Sequence, residues 1–87
     1  MKAVLRKASL KQCRAIGCQF DSADLQAADL DGADVGYACF DNARLQGARM
    51  TCLRIKTASF INAQYDEETL FPPGFDPALK GMVKRSS

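Results

Sequence analysis

The 87 residues suffice for one domain, close to the size at which a single core only just offsets chain entropy. Twelve Lys and Arg against ten Asp and Glu leave a net charge of +2, far from the extremes of a polyanion mimic or a polycation. No apolar run approaches the roughly 20 residues that span a bilayer, and the absence of histidine excludes Ser-His-Asp, Cys-His and His-containing metal sites.

The first eleven residues carry Lys2, Arg6, Lys7 and Lys11 with no apolar stretch between them, which is not a signal peptide. A cytoplasmic location is expected, with Cys13, Cys18, Cys39 and Cys52 reduced. From Ala3 a short period takes over. Alanine occupies positions 3, 8, 23, 28, 33, 38, 43, 48, 58 and 63, so ten of the 13 alanines share one phase of a five-residue repeat. Two residues after each such position stands a large apolar side chain, from Leu5 and Leu10 through Phe20 to Phe60 and Tyr65, broken only by Ala15. Cys13, Cys18 and Leu53 replace alanine at the small position. A period of five fits neither an amphipathic helix nor an alternating strand. Each pentad is therefore expected to be one short extended segment plus a turn, directing one small and one large residue inward.

The units Ala28-Asp29-Leu30-Asp31-Gly32, Ala23-Asp24-Leu25 and Ala33-Asp34-Val35 resemble those of the pentapeptide-repeat family, and the resemblance runs from Ala3 to about Tyr65. It implies an all-β, right-handed quadrilateral parallel β-helix. Four pentads make a coil, and residues 20 apart stack at roughly 4.8 Å. This chain's own pattern agrees, with Phe20, Phe40 and Phe60 on one face, Leu5, Leu25, Leu45 and Tyr65 on a second, Leu10, Leu30 and Met50 on a third, and Ala15, Val35 and Ile55 on the fourth. Thirteen pentads give about three coils over residues 1–67, with residues 68–87 as a capping segment and tail. The pentad holding both Leu53 and Ile55 has too much bulk, and either fills space beside Ala15 or bulges.

On the outer wall, charges 20 apart alternate, as in Arg14, Asp34 and Arg54, and the middle coil forms an acidic belt that includes Asp24, Asp29, Asp31 and Asp34. Those aspartates are expected to set coil register and solubility. The apolar residues Ile16, Tyr37, Cys39 and Ile61 fall on outward positions and form a candidate partner-binding surface. Cys13 and Cys18 are expected to point inward, Cys39 and Cys52 outward from different faces, without a C-x-x-C spacing for zinc.

After Tyr65 the period ends. Pro72-Pro73-Gly74 reads as a bend and Asp76, Pro77 and Gly81 as the start and stop of one helical turn, with Leu70, Phe71, Phe75, Leu79 and Met82 available to cover the last coil. Thr69 to Gly81 is similar to a tail frequent in cyanobacterial and plastid members of the family. The first pentad starts directly after Met1 and Lys2, so coil one is expected to be open, covered by a second copy or another protein unless the sequence is a fragment.

The carboxylates lie on a convex wall without the cleft that tunes an acid and a base, and no phosphate-binding glycine pattern is present. These readings point away from an enzyme and require no cofactor. They favour a protein–protein interaction module or small assembly subunit with an unidentified protein partner. The alternative implied by the family resemblance is a DNA-mimicking inhibitor of a type II topoisomerase. Nucleic-acid binding is not expected, because the bases are spread without interleaved aromatics.

Overall fold

The computed structural model describes residues 4–85. Ala3, where the repeat opens in the sequence, lies outside them. The pentads form corners because every fifth residue accepts a left-handed conformation. Lys7, Gln12, Gly17, Ser22, Ala27, Gly32, Tyr37, Asn42 and Gly47 all have φ between 57° and 74°. At each corner the next small residue donates its N–H back to the preceding large one, as from Ala8 to Leu5, Ala23 to Phe20 and Ala43 to Phe40, each at 3.0 Å. A hydrogen bond across four residues with positive φ at the third is a type II turn.

Between corners the chain is extended, and the middle residue of each wall bridges in parallel the residue 20 positions on. The pairs are Val4 with Asp24, Ser9 with Asp29, Arg14 with Asp34, Gln19 with Cys39, Asp24 with Arg44 and Asp29 with Arg49. The result is a β-helix solenoid whose regular structure, among the described residues, otherwise comprises two 3-10 turns, Ile55–Thr57 and Ala78–Lys80, and one paired rung near the C-terminus.

Inward side chains stack on their own kind. Phe20, Phe40 and Phe60 form a column with ring centroids 5.0 Å apart at each step. Leu25, Leu30, Val35, Phe40, Leu45 and Met50 of the central circuits are wholly buried. Each contributes about 1.5–3 kcal/mol. In the first circuit Leu5, Leu10, Cys13 and Phe20 are only partly buried and Cys18 is exposed.

The Leu53 pentad shifts by one residue. Asp34 bridges Leu53, 19 positions away, while Cys39 bridges Ser59 at the usual 20. Cys52 tightens the preceding corner by donating its N–H to the Met50 carbonyl at 2.8 Å, and its side chain takes the small inward place. Cys52 is thus buried, not outward as its position in the pentad suggested, and Leu53 is 57% exposed, so of the two outcomes expected for this pentad the structure takes the bulge and not the filling of space beside Ala15. The cause is volume, since Cys52 fits a slot beside Ile55 that a leucine would overfill. The lost residue is recovered at the next corner, where Arg54 adopts φ 57° and Ile55–Thr57 winds as a 3-10 turn.

A second irregularity follows Tyr65. Thr69 N–H closes on the Asp66 carbonyl at 3.2 Å, so this corner holds one extra residue, and Leu70 then bridges Arg49. The ladder therefore runs past the boundary expected at residue 67. β1 (Gln64–Tyr65) also pairs in parallel with β2 (Val83–Lys84), which adds a further rung. Of the residues expected to cover the last coil, Met82 is buried and Phe71 and Phe75 pack on the core, with Phe75 edge-on to Phe60 at 5.6 Å. Leu70 and Leu79 point outward instead. Asp76 accepts the Ala78 N–H at 3.0 Å and Gly81 ends the Ala78–Lys80 turn at φ 80°.

Candidate functional site

The aspartates of the second circuit act first on their own backbone. Asp24, Asp29 and Asp34 each accept, through Oδ1, the N–H two residues ahead, from Gln26, Asp31 and Gly36 at 3.2, 3.0 and 3.2 Å. Each is an Asx turn that staples the wall to its corner. Remaining capacity is taken by neighbouring circuits. Arg6 Nε meets Asp24 at 2.9 Å, Thr51 Oγ1 donates to Asp31 at 2.5 Å, and Arg54 holds Asp34 with Nε at 3.1 Å and Nη2 at 2.6 Å. Asp24 pairs with Arg6 below it and not with Arg44 above, and the Asp29 with Arg49 and Lys11 with Asp31 alternations close no ion pair among the described residues. The Arg54 guanidinium, helped by the Gly36 N–H and the charge of Arg14, holds the Asp34 carboxyl below the usual carboxylate range.

Asp66 is the buried acid. Burial alone would raise its pKa, but N–H donors from Gly47, Glu68 and Thr69 and the Thr69 hydroxyl, all at 3.0–3.1 Å, reverse this and lower it. Its carboxylate stands where a backbone carbonyl would receive Gly47 N–H in a regular corner. Beside it, Gln46 donates to Gln64 Oε1 at 3.0 Å, while its own buried Oε1 has no partner among the described residues. Gln46 and Asp66 border a shallow groove with Arg6 and Lys7 at one end and Glu68 at the other.

The outward apolar residues divide between elements. Ile16 and Tyr37 share one corner, 50% and 72% exposed, on successive circuits. Cys39 is half-buried on the following wall, and Ile61 stands one corner further on in the third circuit. Leu53, which the sequence left between the interior and a bulge and did not place in this outward set, lies opposite Asp34 on the wall leading into the Tyr37 corner. The signal for it was present, since a small apolar Cys52 directly precedes an overfilled pentad. Above Tyr37 is the 3-10 corner, whose Thr57 hydroxyl receives Tyr37 N–H at 3.0 Å. Gly36, beside Tyr37, is buried, and a Cβ there would lie 3.4 Å from both Arg54 Nε and Asp34 Oδ1. The bare backbone thus lets the Arg54–Asp34 bridge lie across the corner.

All four thiols are free, and burial pushes Cys52 up to about 12 while its Sγ contacts the Leu30 carbonyl at 3.4 Å. Among the described residues no group of three Cys, Asp or Glu gathers as a metal site, and no helix is long and apolar enough to cross a membrane.

The pentapeptide-repeats family matches residues 1–35 in 8 copies. Among solved structures the chain is similar to a pentapeptide repeat protein from Nostoc Pcc 7120, at 24% identity and a TM-score of 0.58, over 95% of this chain and 81% of that one. No curated protein matches the sequence. Residues 1–35 thus carry pentapeptide repeats, and the chain shares along nearly its whole length the fold of a pentapeptide repeat protein.

Proposed function

We propose that this chain is a non-catalytic protein–protein interaction module, a small adaptor or assembly subunit of the cytoplasm. In this reading it is a right-handed, four-sided coil of about three regular turns that offers rigid walls and corners to a partner. The 20-residue ladder interrupted by a corner every five residues supports that geometry, as does the strong right-handed preference of parallel crossovers.

The observation that carries the functional reading is Tyr37. Its φ of 58° lies in the left-handed region, which costs a residue with a side chain roughly 1–2 kcal/mol. Other corners fill this place with glycine, with the small or amide residues Ser22, Ala27, Gln12, Asn42 and Asn62, or with the long cations Lys7 and Arg54. A tyrosine that is 72% exposed recovers little of the cost by burial. Outliers of this kind concentrate at binding sites, and exposed tyrosine is enriched among interface anchors.

The DNA-mimic alternative draws less support, because the carboxylates of Asp24, Asp31 and Asp34 are already engaged by backbone and neighbouring circuits. Tyr37→Asn tests the interaction reading. The variant should melt at or slightly above the wild-type temperature, since asparagine suits the left-handed corner, yet lose the partner that wild type captures from source lysate. Unchanged capture by the stable variant would refute it, and a topoisomerase subunit retained by both proteins would favour the alternative.

A further inference from the structure

We infer that the Tyr37 corner and the wall leading into it dock an acidic segment of a partner protein that carries two or more apolar anchors; this rests on the reading of Tyr37 as an interface residue. The one-residue shift at Cys52 is what turns Leu53 outward, opposite Asp34, and it places a 3-10 corner directly above Tyr37. Ile16, Tyr37 and Leu53 are each half or more exposed around a corner that is open at Gly17, where nothing approaches within 4 Å of a Cβ's place, and floored by the Arg54–Asp34 bridge over the buried Gly36. Apolar side chains around a low corner suit inserted anchors from a partner.

The charge around these residues fixes the sign of the partner. Arg14, Arg54 and Lys56 flank them, and Lys80 joins from the tail by donating Nζ to the Lys56 carbonyl at 2.7 Å. The acids on this side are Asp34, which Arg54 neutralises, and Asp76, which lines one groove with Lys56 and Lys80, so the four bases outnumber them. The next corner, by contrast, carries Asp21 and Asp41. Complementary charge steers encounter and rejects wrong partners, while the apolar anchors hold the complex. A protein fits better than a single-stranded nucleic acid, because Ile16 and Leu53 are aliphatic and Tyr37 alone offers a stacking face.

The test is selection of a phage-displayed random 12-residue peptide library on the immobilised full chain, with three variants in parallel. Tyr37→Asn removes the aromatic anchor and Leu53→Ser the aliphatic one. Arg14→Glu with Lys56→Glu reverses the flanking charge, and those two side chains form no ion pair within the described chain. Circular dichroism checks that each variant is folded. Peptides enriched on wild type should have net negative charge and at least two large apolar residues. Their binding should fall tenfold or more on every variant and weaken as salt rises from 50 to 300 mM, roughly the range over which surface charges become screened. Tyr37-dependent peptides that are neutral or basic would overturn the acidic assignment while leaving the interface in place. No enrichment over Tyr37→Asn would overturn both. A random single-stranded DNA pool run beside the peptides and captured more strongly in a Tyr37-dependent way would overturn the choice of a protein.

Discussion

Replacing Phe40 with alanine, and separately Phe20, measures how much each rung of the aromatic column depends on the rungs around it. Phe40 is fully buried and stacks on both sides, at 5.0 Å with interplanar angles of 10° and 3°. Deleting such a ring costs about 3–5 kcal/mol, including the space it leaves, and each stacked contact accounts for about 0.5–1.5 kcal/mol. Phe20 is half-buried and has one stacked neighbour, so the same change there should cost about half as much. Against a total of roughly 5–15 kcal/mol for a domain, Phe40→Ala removes a large fraction of stability and Phe20→Ala a modest one. Guanidinium titration followed by far-ultraviolet circular dichroism reads both, with the Phe40→Ala midpoint falling well below that of Phe20→Ala. Equal losses would mean that the column is not cooperative, and a larger loss at Phe20 would reverse the order of burial on which the argument stands.

Leu53→Ala should change stability by less than about 0.5 kcal/mol because the side chain is exposed, whereas Ile55→Ala should cost about 2–5 kcal/mol; comparable losses would restore Leu53 to the interior. Asp66 binds its proton less readily folded than unfolded, so its contribution is complete above about pH 4 and drains away as pH falls through the lowered folded value. Asp66→Asn should be less stable at pH 7, and thermal melts should show the gap closing below pH 4; a gap that is constant from pH 7 to pH 3 would deny the carboxylate its role. Thiol labelling at pH 8 should modify Cys18 readily and leave Cys52 untouched until the protein unfolds, and prompt labelling of Cys52 would contradict its burial.

The period, the phenylalanine column and the inward leucines were legible because each is decided within its own pentad, by one small and one large residue two apart. The position of Cys52 was only half legible: the overfilled pentad after it marked the place, but the choice between Cys52 and Leu53 for the interior depends on the volume left by Val35 and Ala33 a circuit away. The rung formed by Val83 and Lys84 was hidden for a different reason. It is held by backbone hydrogen bonds from Val83 to Ala63 and from Arg85 to Tyr65, which impose no side-chain pattern. For the candidate surface, the sequence placed Ile16 and Tyr37 at outward positions, and the fold brings them to one corner. The stapling role of the aspartates follows from their place two residues before each corner N–H, a spacing visible in the sequence but read there only as charge.

The corner at Arg54–Thr57 restores the residue lost at Cys52, and Cys39 still meets Ser59 on the next wall as though nothing had happened. The coil behaves like a threaded shaft whose pitch is set by backbone bonding and whose circumference is free to vary. An insertion or deletion at a corner is absorbed within a few residues and reshapes the exterior without reaching the stacked interior. Gains and losses of single residues, which would destroy the alternation of an ordinary sheet, are available here as a way of resculpting one edge at a time.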